Sequence, residues 1–136
     1  MMSLAIGPLR IHLAAVLVAG LAHMVVCLVW YAPRLFGDAW ARLTGQTLKP
    51  ARRWLAAGLV GHGAIALVLA VSVSLAGATT ALAGLGVALV LWVGFVVTVQ
   101  VGELIWEKIP LRLFAIRVGN HLVAMGTAGA IVAVWR

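Results

Sequence analysis

The sequence predicts an all-α fold: an integral membrane four-helix bundle made of two tandem transmembrane hairpins. Three observations carry that expectation. The composition lies far from that of soluble domains, four apolar segments are each long enough to span a bilayer, and an internal repeat relates the first pair of segments to the second. Of the 136 residues, 65% are hydrophobic and 10% charged, and the mean hydropathy is +1.16. Soluble domains are about 45–50% apolar and about 25% charged. The chain is therefore expected to form one membrane-embedded domain over residues 1–136. Its single cysteine, Cys27, sits inside an apolar run, which excludes a disulfide framework and a cysteine-rich metal site.

The first segment, residues 11–30, is too long for the apolar core of a signal peptide and lacks a clear small-x-small cleavage site. It is expected to persist as the first span, ending at "WYAPRLFGDAW" (30–40). After Pro33, the residues Leu35, Phe36, Ala39, Trp40 and Leu43 fall on one helical face, and Arg34, Asp38 and Arg42 recur on the other. That pattern predicts a short interfacial amphipathic helix over 34–45, stopped by Gly45. The remaining apolar segments cover 54–76, 81–105 and 113–135, with the uncharged turn "AGATTA" between the second and third. About 20 residues at ~1.5 Å each cross ~30 Å of hydrocarbon. Within it, a single segment satisfies its own backbone only as a helix.

Charge sets the expected orientation. Arg34, Arg42, Lys49, Arg52 and Arg53 lie between the first and second segments, and Lys108 and Arg112 between the third and fourth; Arg10 and Arg136 fall on the opposite side. The positive-inside rule then puts both basic loops in the cytoplasm and both termini outside. The net charge of +7 flanks apolar spans, so the expected partner is anionic lipid, with Arg34, Arg42, Lys49, Arg52 and Arg53 at the headgroups. No basic face stands outside the spans, and nucleic acid is not expected. Trp30, Tyr31, Pro33, Phe36, Trp40, Trp54 and Trp106 are expected as interfacial anchors.

The repeat is read from two exits. "WYAPRLF" (30–36) follows the first segment and "WEKIPLRLF" (106–114) the third. His62 then comes nine residues after Arg53, and His121 nine after Arg112. Two hairpins of like topology, related by a pseudo-twofold axis along the membrane normal, would produce this pattern. Gly and Ala at spacings of three and four, such as Ala57/Gly61 and Gly126/Ala130, predict close helix contacts and a homo-oligomer or membrane-complex seam.

Ionisable groups inside spans are functional candidates because they are costly there. His62 and His121 each lie roughly 13 Å from their loop; His23 lies roughly 10 Å inside Trp30, and Gln100 and Glu103 roughly 9 and 5 Å inside Trp106. Arg117 shares one stripe of the fourth segment with His121. Together His23, His62, Gln100, Glu103, Arg117 and His121 form a polar intramembrane cluster in the cytoplasmic half, with Glu103 and Arg117 as a candidate ion pair. The histidines admit three readings: hydrogen bonds across helix contacts, a proton-relaying polar cavity, or metal or haem ligation by His23, His62 and His121. No His-x-x-x-His or His-Glu-x-x-His pair sits on one helix, and no metal ligand set is assigned. No catalytic residue is assigned either, since Ser72 and Ser74 lie away from the histidines.

"WYAPRLFGDAW" and the last segment, "LRLFAIRVGNHLVAMGTAGAIVAVW", together resemble a family of small four-helix bacterial membrane proteins of unknown function, the DUF1761 type. Trp30, Tyr31, Pro33, Phe36, Gly37, Trp40, Gly119 and His121 stand at family-type positions, while Cys27, Arg117 and Asn120 depart from the family pattern. The resemblance implies a multi-pass protein of the bacterial inner membrane and supplies no activity and no cofactor. The leading functional expectation is a small transporter or channel component with a cytoplasm-facing polar half-cavity. The alternatives are a structural or accessory subunit of a larger membrane complex, and a haem or metal-binding membrane protein.

Overall fold

The computed structural model describes residues 3–6, 9–49 and 52–135, with side chains for 9–49 and 55–135. The side chains of Arg52, Arg53 and Trp54 lie outside the described residues, and so do the headgroup and anchor roles expected of them. Two short strands, β1 (Ser3–Ile6) and β2 (Leu9–His12), pair antiparallel with Ser3 opposite His12. Helix α1 (Leu13–Trp30) follows directly. Strand pairing takes Ile11 and His12 out of the first apolar run, so the helix starts two residues later than its hydropathy alone suggests.

Past α1 the chain turns through a wide π-type segment, Pro33–Gly37, into α2 (Asp38–Thr44). The interfacial helix predicted over 34–45 is therefore regular only from Asp38. Leu35 leaves helical geometry at φ −102°, ψ −105°, and Gly37 folds back so tightly that a Cβ there would collide with the Tyr31 carbonyl. The expected stop is present: Gly45 takes the left-handed conformation at φ 68°, which favours glycine.

Helix α3 (Arg52–Leu75) leads to a turn in which Gly77 is left-handed. Thr80 then caps α4 (Ala81–Leu91), its Oγ1 accepting from Ala83 N–H at 3.2 Å. α4 continues through a π-type stretch, Trp92–Val97, into α5 (Thr98–Trp106), making one rod of 26 residues. Pro110 then starts α6 (Leu111–Val134), where its fixed φ and missing N–H fit a helix entry.

α6 is the most enclosed helix. It packs against α1, α3 and α4, with Ile116, Asn120, Ala124, Ala128 and Val132 among its buried positions. α1 also packs along α3, whereas α3 meets α4 only slightly. A twofold that exchanged the hairpins would equate α1–α6 with α3–α4, and these two contacts are unequal.

The α4–α6 crossing depends on glycine. A Cβ on Gly129 would come within 2.7 Å of the Gly84 carbonyl oxygen, and one on Gly84 would strike the Gly129 backbone. Backbone therefore meets backbone there. An apolar core that includes Val16, Ala19, Leu69, Val73, Ala128 and Val132 fills the half of the bundle next to the β-hairpin.

Among the described residues, three helical stretches are long and apolar enough to cross a membrane: Leu13–Trp30, Leu55–Leu75 and Ala81–Trp106. Their mean hydropathies are 2.4, 2.0 and 2.4, yet only 28%, 22% and 11% of each is buried inside the bundle. Leu17, Leu28, Val60, Val90, Phe95 and Val99 all face outward. α6 is not in that group, since Arg112, Arg117, Asn120 and His121 crowd its first half; it is shielded by its neighbours instead.

Candidate functional site

The site is built from α1 outward. His23 and Cys27 are four residues apart and therefore share one helical face. Next to them Gly20 faces α3, where even an added Cβ would sit only 3.5 Å from the Gly63 Cα. That close approach of α1 and α3 lets His62 reach across, so that the Nδ1 atoms of His23 and His62 lie 2.8 Å apart. At that separation one ring donates and the other accepts. Cys27 Sγ stands 3.8 Å from the same His23 nitrogen.

α6 supplies the third wall. The Cys27 thiol donates to Asn120 Oδ1 at 3.3 Å, and the His121 ring centroid lies 6.4 Å from that of His23. His23 is 0% exposed and Asn120 2%, while His62 and His121 are half-buried. Two buried atoms of the cluster, His23 Nε2 and Asn120 Nδ2, have no hydrogen-bond partner among the described residues. Burying a polar atom unpaired costs about 1–3 kcal/mol, so packing alone gives no reason to place these groups here.

Of the six residues expected to cluster, the structure brings His23, His62 and His121 together. Glu103 and Arg117 pair with each other across α5 and α6, each 26% exposed. Gln100 lies about one turn from Glu103, its Oε1 buried without a partner among the described residues. Among the described residues no hydrogen bond links these three to the histidines.

Two members of the core escaped the sequence reading, Cys27 and Asn120. The available signal was His-x-x-x-Cys on α1, a two-ligand spacing on one helix face. The two side chains hydrogen-bond to each other. Trp92 also went unread; its indole N–H donates to the Val118 carbonyl at 2.8 Å.

The Trp-Tyr-x-Pro stretch closes the bundle below the cluster. Trp30 turns toward α6, where its indole N–H donates to the Ile116 carbonyl at 3.1 Å and its ring lies against Gly119. Phe36 stacks on Trp30 at 4.4 Å, and Tyr31 meets Trp40 edge-on at 5.8 Å. Trp30 is thus packed against a helix, unlike an outward-facing anchor, whereas Trp106, 84% exposed, projects outward. Pro33, Arg34, Arg42 and Lys49 are exposed at this same end.

At the other end Arg10, His12, Ser74 and Trp135 help line a cavity of about 320 Å³. The Arg10 backbone N–H donates to Ser74 Oγ there at 2.9 Å, and His12 Nδ1 is buried without a partner among the described residues. The apolar core separates this cavity from the histidines.

Fold and site together define a small all-α protein with helices apolar enough for a membrane and a histidine-lined polar core. Residues 14–133 match the model of the family described as a protein of unknown function (DUF1761), and the chain belongs to that family. Neither the curated proteins nor the solved structures gave a match.

Proposed function

We propose that the chain is a multi-pass protein of the bacterial inner membrane that works as a small carrier for protons or cations. The observation that supports this most is the convergence of His23, His62 and His121 from α1, α3 and α6 on one buried point. Imidazole takes a proton on one nitrogen and releases one from the other near neutral pH. Two rings with nitrogens 2.8 Å apart can therefore hand a proton across a helix interface. In a bilayer such groups carry a cost that favours a functional role.

In this reading α1, α3, the α4–α5 rod and α6 form four spans in two hairpins. The basic loops with Arg34, Arg42, Lys49, Arg52 and Arg53 face the cytoplasm on anionic lipid, and both termini lie outside. The histidine core then opens toward the cytoplasm, and the cavity around Arg10, His12 and Ser74 opens to the other side. The apolar layer between them, with Leu69 and Val132 among its residues, favours alternating access over an open pore.

The test is proton flux in proteoliposomes of the purified chain under an imposed pH gradient. Flux above protein-free vesicles that is lost in His62→Ala and in His121→Ala is the expected result. Flux equal in both variants to the parent, or no flux at all, overturns the carrier reading.

A further inference from the structure

Five side chains meet where α1, α3 and α6 converge, His23, Cys27, His62, Asn120 and His121, and three of them, His23, Cys27 and His62, lie close enough to share one transition-metal ion. His23, His62 and Cys27 each offer one ligand atom within 4.8 Å of the others; the two Nδ1 atoms are 2.8 Å apart, and Cys27 Sγ is 3.8 Å from His23 Nδ1. Three ligands at ~2.0–2.3 Å around one ion stand roughly 3.5–4 Å apart, so loading must part the two hydrogen-bonded nitrogens from 2.8 Å, while the sulfur, 3.8 Å from His23 Nδ1, already stands at a chelating separation. His23 and Cys27 share a face of one helix, and the third ligand comes from a neighbour held close by Gly20 and Gly63. We propose that His23 Nδ1, His62 Nδ1 and Cys27 Sγ form a three-coordinate site for a single copper(I) ion.

The donor set and the charge balance choose the metal. Thiolate with imidazole suits copper(I) and zinc among common ions. One thiolate with two neutral imidazoles neutralises a monovalent ion and leaves a divalent one with an uncompensated positive charge. In an apolar interior that residual charge is costly. The carboxylate on the neighbouring helix, Glu103, is already engaged by Arg117. A neutral complex therefore forms with copper(I) and not with zinc.

Binding balances as one proton released. The Cys27 S–H bond breaks, a sulfur–copper bond forms, and the thiol proton leaves. The ring that holds its proton on Nδ1 shifts it to Nε2, which frees both Nδ1 lone pairs. Copper enters already reduced, and no electron is transferred. Asn120 follows the change. Its Oδ1 accepts from the thiol, while its Nδ2 is buried without a partner among the described residues. Rotating the amide by half a turn presents Nδ2–H to the thiolate, which makes Asn120 a positioning residue for the sulfur.

From Leu55 to Gly61 every residue of α3 is exposed, and His62 itself is half-buried. This inference names a substrate class for the same core on which the carrier reading rests, but binding and transport fail separately. A protein that binds copper(I) without passing protons keeps the site and loses the carrier; one that passes protons without binding copper does the reverse.

The experiment titrates the full-length chain, purified in detergent under reducing and anaerobic conditions, with copper(I) supplied as its bicinchoninate complex. One ion bound and one proton released per chain are expected, with X-ray absorption showing one sulfur and two nitrogen neighbours. Losing a supporting partner alone costs about 10–100-fold in metal affinity, so Cys27→Ser and His62→Ala should each weaken binding by more than about 100-fold. Asn120→Leu should weaken it by roughly 10-fold and raise the pH needed for loading, an effect that a mere packing role would not produce. Cys27→Ser changes one atom, and unchanged helicity and a single chromatographic species establish that it folds. Copper(I) binding that survives Cys27→Ser, or full displacement by equimolar zinc(II), overturns the proposal.

Discussion

The α4–α6 crossing gives a prediction whose sign is diagnostic. Gly→Ala inside a helix ordinarily stabilises by about 0.5–1 kcal/mol, because alanine loses less conformational freedom. At Gly84 the sign should reverse. A Cβ there meets the Gly129 backbone and comes within 2.6 Å of the Ala133 Cβ. An ordinary carbon–carbon contact is ~3.5–4.0 Å, so the helices must part by roughly 1 Å along this line. Overpacking of this kind costs about 1–3 kcal/mol, and because the obstacle is backbone, no rotamer change relieves it. Gly84→Ala should therefore destabilise by about 1–2 kcal/mol net, a factor of roughly 5–30 in the folded-to-unfolded ratio. Gly86 lies on the same helix two residues on, with open space where its Cβ would be. Gly86→Ala is the matched control and should be neutral or mildly stabilising. Reversible unfolding in mixed micelles, followed by circular dichroism, measures both. A Gly84→Ala chain as stable as the parent, or destabilisation equal in the two variants, would refute the backbone-on-backbone crossing.

Other consequences follow from the same structure. Trp30→Phe keeps the stack on Phe36 but removes the hydrogen bond to the Ile116 carbonyl, and unfolding should register a loss of about 0.5–1.5 kcal/mol. Gly119→Leu should evict the Trp30 ring, seen as a shift in tryptophan emission that Gly58→Leu, with open space around it, does not cause. Glu103→Ala leaves Arg117 unpaired, and should destabilise more than the double variant Glu103→Gln with Arg117→Gln, as a double-mutant cycle will resolve. Lys108 has a left-handed φ of 52°, so Lys108→Gly should stabilise the turn into α6 by about 1–2 kcal/mol.

Much of the framework was legible in sequence because apolar length and punctuation are local signals. Pro33 and Gly45 mark breaks through their own backbone preferences, and each stands at the boundary it suggested. The Glu103–Arg117 pair was also accessible, since an ion pair between successive apolar segments has few other partners. What escaped depends on which face of a helix meets which neighbour. The apolar helices have too little polar contrast to show an inner face, so Cys27 and Asn120 could not be joined to His23 before α1 was seen against α6. For the same reason Trp30 read as a surface anchor although its indole is used inside. The glycine spacings noted in sequence were Ala57/Gly61 and Gly126/Ala130, whereas the tightest seam uses Gly84 and Gly129, a pairing between helices that no single-segment spacing reveals. The antiparallel pairing of Ser3–Ile6 with Leu9–His12 was hidden by the apolar run into which the second strand merges.

The central claim is that imidazoles from separate helices form one polar core. Its most direct test is solid-state nitrogen-15 NMR of the chain in lipid bilayers, with histidine labelled and His12→Gln and His121→Gln introduced to leave His23 and His62. The account predicts a through-hydrogen-bond coupling between the two Nδ1 nuclei, with one ring protonated at Nδ1 and the other bare there. Two uncoupled histidine signals, each with an independent tautomer, would contradict it.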